Sequence, residues 1–308
     1  MIDILMATYN GEKYLKEQID SILNQTYKDW RLLVRDDGST DRTVAIINEY
    51  VSRYKDKIIL IEDNINAGGA KYNFFEIMKR SSSDYIMFAD QDDVWERDKV
   101  SHAYNYIVRA EKKNGTHIPL LLYSDLKVAD SSLKIMDTSM FRMQKLDRSK
   151  NRFKDYLVQN NATGCTVIFN RELRELCSVM PSAAIMHDWW LALIAAAFGR
   201  VYYMASNDIL YRQHGNNTEG AKNLKSLTYL LKRVFGRSEI KKNLMDTYSQ
   251  AEAFGAVFGS KLNRENKEIL SAYISLKNSK KLKKYSIIKK WGFMKSGLAR
   301  KIGYYMYI

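Results

Sequence analysis

In the first 90 residues, short apolar runs alternate with stretches of helical periodicity, and this alternation limits the possible folds more than any other property of the chain. "IDILMATY" (2–9), "WRLLVRDDGS" (30–39), "KIILIED" (57–63) and "DYIMFAD" (84–90) read as strands. Between them, 12–26, 41–54 and 69–81 read as helices; in the first, Leu15, Ile19, Ile22 and Leu23 fall on one face. Ser39 or Thr40 is placed to cap the second helix. Strands that alternate with helices predict an α/β fold whose mostly parallel central sheet is covered on both faces. With 308 residues, 46% of them hydrophobic and only two prolines, the chain can bury the core of one or two such domains.

In sheets of this kind ligands bind beyond the carboxyl ends of the strands, beside the point where strand order reverses. The four predicted strands run into "TYNGE", "DDGSTD", "NINAGG" and "DQDD", all small or polar. One polar strand end is an ordinary turn, but four in succession on one edge predict a single ligand groove. The last of them sets Asp90, Asp92 and Asp93 within four positions. Carboxylates so close repel one another and are costly to bury, so a divalent cation, a basic side chain or water is expected among them. Further on, "LLLYSDLKVAD" (120–130) and "TGCTVIFN" (163–170) read as strands, and "MHDWWLALIAAAFG" (186–199) opens a helix.

"ATYNGE", "RDDGSTD", the N-A-G of Asn66 to Gly68 and "DQDD", in this order and at these spacings, resemble the family 2 inverting glycosyltransferases of the GT-A fold. The resemblance covers about residues 2–215. The start at Ile2–Glu12, with "YSDLKV" (123–128), "MHDWWLAL" (186–193) and "YRQHGNN" (211–217), most resembles bacterial rhamnosyltransferases of cell-wall or capsular polysaccharide synthesis. The resemblance implies a Rossmann-like GT-A catalytic domain over 1–221, with a nucleotide-sugar half at about 1–100 and an acceptor half at about 101–221. The "QxxRW" signature of processive members is absent, so one sugar per encounter is expected.

Residue by residue, the resemblance sets Thr8, Tyr9, Asn10 and Glu12 against the base and ribose of a nucleotide-sugar donor. It gives Asp36, next to Asp37, the N3 proton of a pyrimidine, and lets Asn66 and Gly68 line the same groove. Asp92 would hold Mn²⁺ or Mg²⁺ directly, Asp90 the metal or the ribose hydroxyls beside Gln91, and His214 would complete the metal site; hard oxygens and an imidazole suit such ions. Thr163 and Gly164 would lie under the transferred sugar or the acceptor. Asp188 would be the base that takes the acceptor hydroxyl proton. His187 either orients it or packs, and Trp189 and Trp190 are core residues or an acceptor shelf.

Read without the resemblance, several of these residues have plainer roles. Asp36 and Asp37 can form an Asx-type turn with Gly38. Asp188 can serve the helix dipole, and His214 can be a loop histidine. The implied reaction is transfer of L-rhamnose from dTDP-L-rhamnose to a polyprenyl-linked glycan; UDP-glucose, UDP-galactose or UDP-N-acetylglucosamine are alternative donors, and a non-catalytic glycan-binding relative is the alternative class.

The net charge of +14 is unevenly spread. Residues 222–308 carry 20 Lys or Arg against 5 Asp or Glu, and the first 221 carry 29 against 30. The basic region mixes lysines with Leu, Ile, Trp and Tyr, which predicts helices on an anionic membrane surface or a subdomain that packs on the core or makes an oligomer. No nucleic-acid-binding signature accompanies the charge. The start lacks a signal-peptide pattern and the longest apolar run, 189–198, is too short to span a bilayer. A cytoplasmic protein, peripheral on the inner face of the cell membrane, is therefore expected. Cys165 and Cys177 lack paired or metal-binding spacing and are expected as buried thiols.

Overall fold

The predicted alternation of strand and helix is realised in the computed structural model, which describes residues 1–63, 66–214 and 237–308. The first half runs β1 (Ile2–Thr8), α1 (Leu15–Leu23), β2 (Trp30–Asp36), α2 (Thr43–Arg53), β3 (Ile58–Leu60), α3 (Ala70–Arg80), β4 (Tyr85–Ala89), β5 (Val94–Trp95) and α4 (Lys99–Asn114). Next come β6 (Leu120–Ser124), β7 (Lys127–Ala129), β8 (Ile135–Asp137), α5 (Met140–Gln144) and α6 (Phe153–Val158). They are followed by β9 (Ile168–Asn170), α7 (Arg171–Leu176), α8 (His187–Phe198), β10 (Arg200–Met204) and β11 (Ile209–Arg212). The basic region contributes α9 (Arg237–Phe258), α10 (Arg264–Ser275), α11 (Lys281–Trp291) and α12 (Leu298–Tyr307).

Among the described residues, seven strands form the central sheet in the order β10-β6-β9-β4-β1-β2-β3. All neighbours are parallel except β9, which is antiparallel to both β4 and β6. Successive residues of β1 face opposite cores: Ile4 and Met6 pack with Leu15, Ile19 and Val34, and Leu5 packs with Phe74, Phe88 and Trp190. A strand buried on both faces reads as a continuous apolar run, which is why "IDILMA" lacks polar alternation. Register aligns Thr8 with Asp36 and Met6 with Ala89, so the loops after β1, β2 and β4 open on one edge. Strand order turns at β1, which lies between β4 and β2 although it precedes both.

Three local expectations are corrected. "LLLYSDLKVAD" is two strands, because Asp125 accepts hydrogen bonds from the backbone N–H of Leu126 (2.9 Å) and of Phe141 (3.1 Å) and turns the chain into a second sheet, β5-β11-β7-β8. "TGCTVIFN" opens as a 3₁₀ turn at Gly164–Thr166, tied by the Thr166 N–H to the Thr163 carbonyl, and only Ile168–Asn170 joins the sheet. The start of α2 is bonded by Asp41, which accepts from the Thr43 N–H at 2.9 Å, while the Ser39 hydroxyl donates to Asp36 and accepts from the Asn10 N–H.

Helices α9 to α12 fold back onto the core. Leu244, Tyr248, Phe254, Tyr273 and Phe293 are buried with Trp190 and Leu191 of α8, and the Trp190 and Phe254 rings meet edge to face at 5.4 Å. The expected boundary near residue 221 lies outside the described residues. No helix among the described residues is long and apolar enough to cross a membrane. Both cysteines are buried free thiols.

Candidate active site

The strand ends converge on one groove of about 1200 Å³. On its first side stand Thr8, Tyr9 and Asn10 from the loop after β1. The Gln91 side chain clamps this loop, accepting from the Tyr9 N–H (3.0 Å) and donating to the Tyr9 carbonyl (2.9 Å). Asn10 takes a left-handed backbone conformation at φ 48° and accepts from the Thr40 N–H at 2.9 Å, which couples the β1 loop to the β2 loop.

The two aspartates after β2 separate. Asp37 lines the groove with Asn66, Gly68 and Gly69, and its carboxylate accepts from the backbone N–H of Ala67 (2.7 Å) and Gly69 (2.9 Å). Behind it Arg35 is buried, bonded to Asp63 at 2.7 Å and to Asn73 at 2.9 Å. Asp36 does not line the groove. Its carboxylate accepts from Thr8 Oγ1 (2.8 Å), Ser39 Oγ (2.6 Å) and the Ser39 (2.7 Å) and Gly38 (3.1 Å) N–H groups, the turn that the sequence offered as its plainer role. Glu12 also turns away, accepting from the Arg42 N–H at the start of α2 (2.9 Å). In the structure these two carboxylates hold the loops in place rather than line the groove.

At the end of β4, Asp90 and Asp92 reach the groove, and β11 of the small sheet delivers His214, whose Nε2 lies 2.7 Å from Asp92 Oδ2. Burial, then the negative charges of Asp92 and Asp188, push the Asp90 carboxyl up to about 7. Asp93 points inward; its Oδ1 accepts from the Arg212 N–H (3.1 Å), and burial with Asp90 and Asp92 nearby raises its carboxyl far above the usual range. One ligand atom each from Asp90, Asp93 and Cys165 lies within 4.8 Å of the others. Two carboxylates and an imidazole facing the groove, with Asp90 disfavoured as an anion by its neighbours, form a donor set that fits a divalent cation.

In the same groove α8 starts at His187, and Asp188 in its first turn is favoured by the helix dipole. Asp188 Oδ1 accepts from the Trp189 N–H at 2.6 Å, while Oδ2 faces Gly164. A Cβ on Gly164 would stand 3.2 Å from His187 Nε2, a tight approach, and 3.6 Å from Asp188 Oδ2, in ordinary contact, so Gly164 packs directly against both side chains. His187 is packed between Phe74 (stacked, 4.2 Å) and Phe88 (edge-on, 4.8 Å), and neither ring nitrogen has a hydrogen-bond partner. It therefore does not orient Asp188 through a hydrogen bond. Trp189 and Thr163 line the groove, with Trp189 Nε1 donating to the Tyr156 carbonyl, and Trp190 is wholly core.

Sequence reasoning missed the residues that the basic region adds to the groove: Asn243, Asp246 and Thr247 of α9, Lys295, and Arg300 of α12. No motif marks them, since only tertiary packing brings them to the strand ends.

Among solved structures, the fold matches S. aureus TarS 1-349 (TM-score 0.57, 17% identity, 95% of this chain and 74% of that one). The same TarS fragment in complex with UDP-GlcNAc matches at 0.56, with 17% identity over 92% of this chain and 82% of that one. The mannosyltransferase PcManGT from Pyrobaculum calidifontis, in complex with GDP-Man and Mn²⁺, matches at 0.56, with 17% identity over 97% and 76%. The fold is thus that of the GT-A glycosyltransferases. The model of glycosyl transferase family 2 matches residues 3–176, and the chain belongs to that family of inverting transferases. A dTDP-rhamnosyl transferase of Shigella flexneri, RfbG, is 31% identical over 228 residues, 70% of this chain and 74% of that protein. A poly(ribitol-phosphate) beta-glucosyltransferase of Bacillus spizizenii is 23% identical over 265 residues, 78% of this chain and 41% of that protein.

Proposed function

We propose that this glycosyltransferase is metal-dependent and moves one L-rhamnose per encounter from dTDP-L-rhamnose to a polyprenyl-linked glycan at the inner face of the cell membrane, in cell-wall or capsular polysaccharide synthesis. The observation that carries the reading is the convergence of Asp90, Asp92, His214 and Asp188 on one groove, with Asp188 near enough to Asp90 for its charge to act on it. The likeness to a dTDP-rhamnosyl transferase supports the donor sugar.

In this reading the nucleotide lies along Thr8, Tyr9, Asn10, Asp37, Asn66 and Gly68, with Asp37 rather than Asp36 meeting the base. Asp90, Asp92 and His214 would hold Mn²⁺ or Mg²⁺, whose charge offsets the charge that builds on the departing diphosphate. Asp188 keeps Oδ1 on its own helix and takes the acceptor proton on Oδ2 as the hydroxyl oxygen attacks the anomeric carbon from the face opposite the leaving group. Thr163, Gly164, His187 and Trp189 shape the space for the sugars. A UDP-sugar donor is the second reading, favoured by the likeness to a TarS complex with UDP-GlcNAc.

Calorimetric titration with dTDP-rhamnose, UDP-glucose, UDP-galactose and UDP-N-acetylglucosamine, each with Mn²⁺ and with EDTA, decides between the donors. One donor, bound only with metal, is the expected result; binding unaffected by EDTA would refute the metal assignment. Asp188→Asn should leave donor affinity within about threefold and lower transfer by roughly 10²–10⁴-fold, the worth of a positioned base. Normal turnover in that variant would remove the base from Asp188.

A further inference from the structure

We propose that α11 and α12 together form a docking face for an anionic lipid bilayer, placed so that one wall of the groove comes to the headgroup layer. The inference rests on the reading that the acceptor is lipid-carried. On α12, Leu298, Ile302, Tyr305 and Met306 recur at helical spacing and are 72%, 48%, 40% and 51% exposed. They form one apolar stripe turned to solvent, while Tyr304 and Ile308 of the same segment are buried in the core.

Beside the stripe lies α11, joined to α12 by the Tyr285 hydroxyl, which donates to the Tyr305 carbonyl (3.1 Å), and by their two rings at 5.9 Å. It adds Leu282, 84% exposed, and the exposed lysines Lys281, Lys283, Lys289 and Lys290. From residue 269 to 308 the sequence holds ten Lys or Arg and no Asp or Glu. An apolar stripe edged by lysines matches the boundary between acyl chains and anionic headgroups, which accepts both at once. A second copy fits it less well, because two such faces would bring like charges together. Nucleic acid answers the lysines and leaves the stripe in water.

The helix that carries the stripe also forms part of the groove wall. Arg300, two positions from both Leu298 and Ile302, projects from the opposite side of α12 to the stripe, and with Lys295 it lines the groove. A bilayer under the stripe would therefore lie against the outer side of a helix whose inner side lines the groove.

The test is co-sedimentation of the full chain with vesicles of equal parts phosphatidylglycerol and phosphatidylcholine, and with vesicles of phosphatidylcholine alone. The wild type should bind the first at least about tenfold more tightly. Two variants, one with Leu298→Ser, Ile302→Ser and Met306→Ser, the other with Lys281→Gln, Lys283→Gln, Lys289→Gln and Lys290→Gln, should each lose about tenfold or more, with thermal melting and donor binding unchanged. No vesicle binding, equal binding to both compositions, or unaltered binding by either variant overturns the proposal. So does self-association in the absence of lipid that the apolar variant abolishes, which would make the stripe an interface between copies. Failure of the donor titration would strike the transferase reading and leave vesicle binding as a separate result.

Discussion

His187 shows at the scale of one residue how packing can override a side chain's ordinary chemistry. Stacked on Phe74 and set against the Phe88 ring, with neither nitrogen bonded, it is held neutral, because burial lowers its pKa to about 3. In the unfolded chain it titrates near its usual value of about 6.5, so between these limits the unfolded state binds the extra proton. The stability it contributes is complete above about pH 6.5 and is lost as pH falls, at roughly 1.4 kcal/mol per unit. His187→Phe should flatten that dependence. Urea unfolding of both proteins at pH 7 and pH 4.5 should show the wild type losing about 2–3 kcal/mol more than the variant, and parallel losses would refute the buried neutral imidazole. Sequence could place His187 beside Asp188 but left open whether it orients or packs, because Phe74 and Phe88 are about a hundred positions away. The same limit explains Asp36 and Glu12. Their residue types suit a ligand, but the backbone N–H groups of neighbouring loops take up their oxygens, and a motif does not say which way a carboxylate turns.

Whole elements were legible where periodicity was unbroken. Strands β1, β2 and β4 and helices α1, α3 and α8 stand within a few residues of where apolar spacing puts them. Elements failed where one side chain diverts the backbone, as Asp125 does between β6 and β7, or where a strand is reached through a turn, as at Gly164–Thr166 before β9. At the junction of α8 and β10 the chain approaches another segment so closely that a Cβ on Gly199 would stand 1.7 Å from the Pro119 carbonyl oxygen. That contact is with backbone, which cannot swing aside. Gly199→Ala should therefore cost at least about 2 kcal/mol, more than an ordinary surface substitution, and lower the melting temperature. A variant as stable as the parent would mean that β6 and β10 can slide apart at this end.

For the molecule as a whole, charge patterning revealed two electrostatic halves but not that they share a core. Tyr248, Phe254, Tyr273 and Phe293 pack against the catalytic side, and burial of each such side chain is worth about 1.5–3 kcal/mol. Together they rival the roughly 5–15 kcal/mol by which domains are stable. A chain cut after His214 should lose cooperative melting and aggregate. A soluble fragment with a sharp transition would instead make the first 214 residues an independent domain. The place of β9 has a different consequence, one in time. Its three residues are the seam between the parallel group β1–β4 and the pair β6 and β10, and they pair with both sides. As the chain is made, β4 has been synthesised at Tyr85–Ala89 but must wait for Asn170 before that edge is closed, an interval on the order of ten seconds at ordinary translation rates. During synthesis this apolar edge is the surface that a chaperone would shield and that another nascent chain would seize.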